Sequence, residues 1–204
     1  MMASEKRSKI DVSALPSMAF GSRDPVWWGV TGMIAIETTM FALLVASYYY
    51  LRGGADQWPP PFSKPSLPFG IANLAVLLAS VYPMHRVNAA ALFGRVRSIR
   101  FWLIVTTVFC AASLVLRGEE LAQLTFRWNS HAYGSLVWTL FGFHTLHLVT
   151  STVENLVFIA LLFKGPIEKK FCVDLRLNGL YWFFVVAVWV PVFAVIYLDP
   201  GLFR

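Results

Sequence analysis

The chain has 204 residues, of which 57% are hydrophobic and only 14% charged, with a mean hydropathy of +0.62. This composition excludes an ordinary soluble globular domain and is that of a membrane protein. Basic residues outnumber acidic ones, 17 to 11, but they sit in short segments between apolar runs. Membrane topology accounts for them there, and no nucleic-acid partner is expected.

In chain order, the N-terminal "MMASEKRSKI" lacks the apolar core and cleavage site of a signal peptide, so residues 1–25 are expected to remain as a cytoplasmic tail. Residues 26–204 read as one membrane domain. Five apolar runs in it are long enough to span as helices: Val26–Leu51, Leu67–Met84, Ile99–Leu116, Tyr133–Phe163 and Gly179–Leu198. They are continuous rather than alternating, which argues against strands. The predicted fold is therefore all-α, a bundle of five transmembrane helices. The first loop, "GGADQWPPPFSKPS", reads as a stiff connector. The second run is short and "YPMHR" places Pro83 at its end. The fourth is long enough to tilt or project. Cys110 lies in a span and Cys172 in a loop, with no CxxC, so neither a disulfide framework nor a zinc site is expected.

The charges predict orientation. Lys6, Arg7, Lys9 and Arg23, then Arg86, Arg95, Arg97 and Arg100, then Lys164, Lys169, Lys170 and Arg176 fall on one side. Only Arg52, Lys64, Arg117, Arg127 and Arg204 fall on the other. By the positive-inside rule the N-terminus is inside and the C-terminus outside.

The clear ionisable groups within the runs are Glu37, His144, His147 and Glu154. Each costs energy at membrane depth and is a functional candidate for that reason. His144, His147, Ser151 and Glu154 fall within a stripe of about 80° on one helix, which should face protein. Glu37 lies ten residues beyond Trp27 and Glu154 ten before Lys164, at the inner ends of their runs, or about 15 Å deep, so they are expected to occupy one layer and to share a polar pocket. Glu37 is read as proton-linked, lipid-linked or simply hydrogen-bonded. The histidines are read as interhelical hydrogen-bonding residues. Two histidines three apart cannot take opposite axial positions on a haem, and paired Glu-x-x-His motifs are absent, so no metal is expected. Arg117, Glu119, Glu120 and Arg127 read as solvated ion pairs at the outer end.

The order of these features resembles subunit III of the haem–copper cytochrome c oxidases. "WWGVTGMIAIETTMFALLVASYYYLR" is similar to the family's tryptophan-rich entry, mid-helix glutamate and aromatic exit; "NAAALFG" and "RGEEL" follow in place. "HAYGSLVWTLFGFHTLHLVTST" resembles its histidine-bearing helix and "LNGLYWFFVVAVWVPVFAVIYL" its closing one. The chain resembles the last five of the seven helices of longer members. Phe183 and Val186 stand where the family has histidine and aspartate, Arg117 where it has glutamine, and Glu154 is not part of the pattern.

The resemblance implies a subunit without a redox centre, flanking subunits I and II, which would carry the haem and copper. It implies bound phospholipid, contact with other respiratory-chain proteins, support of proton uptake, and a bacterial inner membrane. Glu37 carries over as the family glutamate, and His144 and His147 as structural or lipid-pocket residues. A same-fold subunit of a quinol oxidase or nitric oxide reductase is the near alternative. A small proton-coupled transporter and a stand-alone metalloenzyme are the distant ones.

Overall fold

The computed structural model describes residues 20–22, 24–164 and 169–199. Most of the expected tail, with Lys6, Arg7, Lys9 and Arg23, lies outside the described residues, as does Arg204. Among the described residues the regular structure is helical: α1 (Pro25–Gly53), α2 (Leu67–Leu92), α3 (Val96–Ala122), α4 (Ala132–Lys164) and α5 (Lys169–Phe193), which runs on into a π-helical turn, Ala194–Leu198. All five helices are long and apolar enough to cross a membrane.

Local chemistry sets the starts. Asp24 caps α1 by accepting the Val26 N–H at 2.9 Å, with Pro25 preset for the first turn. α2 likewise has a proline in its first turn. Between α2 and α3, Gly94 adopts φ +61°, which a side chain would resist, and the chain reverses within three residues.

Helices α2, α3 and α5 extend beyond the runs read in the sequence, α3 at both ends, from Val96 to Ala122 rather than Ile99 to Leu116. α2 passes through Pro83 to Leu92 rather than ending at Met84, because a membrane helix tolerates a proline whose freed carbonyl finds other partners. α5 begins at Lys169, ten residues before Gly179, so Cys172, Asp174 and Arg176 ride on a helix instead of a loop. Charged residues do not break a helix at a membrane surface, since their long side chains reach the headgroups while the backbone stays paired.

α2 packs on α3 and α5, α3 on α4, and α4 on α5, enclosing Tyr48, Leu77, Met84, Leu103, Phe141, Leu148, Trp182 and Trp189. α1 lies at the edge of this cluster, against α4 and α5, and contributes only Phe41 and Tyr48 to its buried residues. Polar ties cross the bundle: the Trp182 indole donates to Ser80 Oγ at 3.0 Å, and Asn178 Nδ2 donates to Asn155 Oδ1 at 2.8 Å. The Arg100 guanidinium holds the Leu162 carbonyl near the end of α4.

At one end of the bundle lie the α2–α3 turn and the start of α5, where Arg176 stacks over Phe20 at 3.8 Å; we call it the hairpin end. At the far end Arg52 and Tyr48 of α1 both hold Asp199 just past the π-helical turn.

Candidate functional site

Glu37 sits midway along α1, on the side facing α4 and α5, with its side chain 20% exposed. Its Oε2 lies 3.3 Å from His147 Nε2, an ion-pair distance, and makes no hydrogen bond. His147 is 8% exposed and boxed by the rings of Phe41, Tyr181 and Phe184. Its Nδ1 meets the Phe143 carbonyl one turn back on α4. A carbonyl can only accept, so Nδ1 carries a proton. Nε2 and Oε2 would then face each other with lone pairs unless a proton lies between them.

Tyr181 of α5 stacks on His147, with centroids 6.3 Å apart, and its hydroxyl faces Glu37 while lying within Coulombic reach of Glu154. Glu154 and Tyr181 line a groove of about 330 Å³ between α1, α4 and α5, which Asp174 and Asn178 also line. Glu154 is half-buried there. The two glutamates thus meet through Tyr181 rather than directly, and that residue carried no charge signal in the sequence.

On the expected polar stripe of α4, His144, His147 and Ser151 are buried, whereas Thr150 is exposed and bonds back to the Leu146 carbonyl. His144 does not join the Glu37 cluster. Arg117 Nη2 lies 3.2 Å from its Nδ1, and its Nε2 lies 3.1 Å from the Val185 carbonyl. Arginine can only donate and a carbonyl only accept, so His144 is held as the neutral Nε2–H tautomer. Its ring stacks on Trp189, with centroids 4.4 Å apart.

The RGEEL residues part company. Arg117 and Glu120 form a buried ion pair, while Glu119 and Arg127 are exposed. Solvated pairing was the expectation for all four; α3 instead continues to Ala122 and turns Arg117 and Glu120 into the bundle. Trp189 and Phe141 cover the guanidinium, at 3.8 and 4.7 Å. Glu120 also accepts from Asn73 Nδ2 at 3.0 Å and from the Tyr197 hydroxyl at 2.9 Å. Asn73 and Tyr197 escaped the sequence reading, although an asparagine inside an apolar run is itself a signal of an inward polar contact. Among the described residues no three His, Cys, Asp or Glu side chains gather in a way that could hold a metal ion.

Comparison with known proteins gives the same architecture a family. Residues 18–199 match the family model described as cytochrome c oxidase subunit III. The chain is 30% identical over 171 residues to a probable cytochrome c oxidase subunit 3 of Nocardia farcinica, covering 80% of this chain and 83% of that protein. It is 25% identical over 174 residues to the cytochrome c oxidase subunit 3 of Thermostichus vulcanus, covering 83% and 85%. With the Triticum aestivum protein of that name it is 28% identical over 152 residues, covering 71% of this chain but only 56% of the longer relative. The chain belongs to the cytochrome c oxidase subunit III family, and is thereby a multi-pass subunit of an oxidase complex.

Proposed function

We propose that the chain is a non-redox accessory subunit of a haem–copper terminal oxidase that reduces oxygen and pumps protons. It flanks and stabilises the catalytic subunit, binds phospholipid, and supports proton uptake through Glu37. Haem and copper reside in partner subunits I and II. The hairpin end, which carries Arg86, Arg95, Arg97 and Arg100, faces the cytoplasm of a bacterial cell, and Asp199 faces outward.

The observation that carries this reading is the Glu37–His147 contact. A buried histidine stands 3.3 Å from a carboxylate at mid-span, the carboxylate on α1, the helix least enclosed by its own bundle, and we read the two as sharing a proton. Such a pair takes up and yields protons without a redox centre beside it. A proton-coupled transporter would use the same groups, but the paired broken helices of that class are absent among the described residues.

The test is Glu37→Gln in the intact oxidase. Proton uptake during turnover should weaken, or activity should decay with successive turnovers, with haem content and assembly unchanged. Unchanged uptake and lifetime reduce Glu37 to a packing residue.

A further inference from the structure

We propose that the groove between α1, α4 and α5 is a water-filled proton inlet. It connects the hairpin end to the Glu37–His147 pair by way of Asp174, Glu154 and Tyr181. The proposal rests on the proton-linked reading of Glu37 and adds a route and an entry side to it.

Depth orders the groups. Asp174 lies four residues from Lys170 at the start of α5, or about 6 Å along the axis. Tyr181 is eleven residues from Lys170 and Glu154 ten from Lys164, each about 15 Å in. Glu37 stands at the same level on α1. All but Glu37 and His147 line one groove, and Tyr181 bridges from the groove to that pair.

The groove has polar groups in want of water. Asn178 is 6% exposed and lines it. Its Nδ2 is committed to Asn155, but its Oδ1 has no hydrogen-bond partner. A buried amide oxygen in that state calls for a donor. Asp174, Glu154 and the Tyr181 hydroxyl supply further partners, so a water inside would have the two to four it needs. A volume of about 330 Å³ is room for several waters. The walls between are Val26, Val30, Val153, Val157 and Phe158, which offer a proton no competing stop.

The charges around the route suit it. Asp174 faces Lys170 on its own helix and Asp24 at the cap of α1. Glu154 shares the groove with Asp174 and Tyr181. Glu37 faces His147 and Tyr181, and His144 stands one turn from His147. Among the described residues no lysine or arginine lines the groove. Each step moves one proton and no electrons. A hydronium ion at the hairpin end protonates the Asp174 carboxylate and becomes water, and the acid passes its proton through water to the Glu154 carboxylate. Glu154 then gives it to the Tyr181 oxygen as the phenol proton moves on to the pair, which gains one unit of positive charge.

The test follows deuterium entry into the pair by infrared spectroscopy of the intact oxidase transferred to D2O. The carboxyl and imidazolium bands that disappear in Glu37→Gln provide the assignment. Asp174→Asn with Glu154→Gln should slow that exchange by about tenfold or more. Val153→Trp, which fills the groove from its rim and leaves every relay group in place, should do the same. Exchange at the parental rate in both variants overturns the inlet, as does a parental rate in the filled groove alone, because an acyl chain would then fit there as well as water. Slowed exchange with normal turnover and lifetime upholds the inlet while refuting the functional role of Glu37, so the two failures are separable.

Discussion

Arg117 and Glu120, one turn apart on α3, form an ion pair of 2.7 Å with side chains 0% and 1% exposed. Four groups make this tolerable in a membrane interior. Tyr197 and Asn73 donate to the carboxylate, and Trp189 and Phe141 cover the cation. Removing one charge strands the other. Glu120→Gln, which keeps the donors but loses the charge, is expected to cost about 3–5 kcal/mol. Arg117→Gln with Glu120→Gln should recover most of that loss, since an uncharged pair needs no compensation. Unfolding midpoints of the four proteins in detergent form the cycle, and a double variant as weak as the sum of the singles would refute the coupling.

His144 and His147 differ in their surroundings although they are three residues apart. His144 is locked between a donor-only and an acceptor-only partner, whereas His147 has its Nδ1 on the Phe143 carbonyl and its Nε2 3.3 Å from Glu37. Nitrogen NMR on histidine-labelled protein should show one nitrogen of His144 protonated and the other bare at every pH between about 5 and 8. The His147 signals should change in Glu37→Gln and those of His144 should not. A His144 that becomes doubly protonated in this range contradicts the tautomer assignment.

The parts of the fold that could be read were those written as long patterns. Five apolar runs gave five helices, and the depth count placed Glu37 and Glu154 on a common level that Tyr181 now joins. The misreading of Arg117 and Glu120 was avoidable. The buried positions of α3 are Ile99, Leu103, Thr106, Cys110, Ser113, Arg117 and Glu120, which alternate steps of four and three along one stripe. Charge type was weighed above register, and register decided the burial. Helix ends were less legible, because Lys169, Asp174 and Arg176 read as loop chemistry while a helix at a membrane surface accepts them. Tyr181, Asn73 and Tyr197 could not be assigned in advance, since their roles depend on which helices become neighbours.

Asn155 and Asn178 test what a polar tie is worth inside this bundle. Asn178 Nδ2 donates to Asn155 Oδ1, and Asn155 Nδ2 reaches Cys110 Sγ at 3.5 Å, a weak acceptor. Asn155→Ala should therefore destabilise by about 0.6 kcal/mol from the hydrogen bond and at most about 1.7, far less than Glu120→Gln. Chemical denaturation of the two variants side by side checks the order. Equal losses would mean that the ion pair contributes no more than an amide contact.

Two glycines sit where helices come close, and they should not tolerate alanine equally. A Cβ on Gly179 would lie 2.2 Å from Asn88 Oδ1, the end of a side chain that can rotate away. A Cβ on Gly70 would lie 2.5–2.9 Å from three ring carbons of Tyr197. That ring cannot shift freely, because its hydroxyl holds Glu120 and its face stacks on Phe193 with centroids 4.8 Å apart. Gly70→Ala must therefore move α2 away from the end of α5 or pull Tyr197 off the carboxylate. The first cost is overpacking, about 1–3 kcal/mol. The second removes one donor from a buried charge, which is of similar size. Gly70→Ala should lower the unfolding midpoint clearly more than Gly179→Ala, and Tyr197→Phe, which already lacks the hydroxyl, should reduce the extra penalty. If Gly70→Ala costs the same with and without that hydroxyl, crowding alone explains the loss and Tyr197 does not report on the Arg117–Glu120 pair.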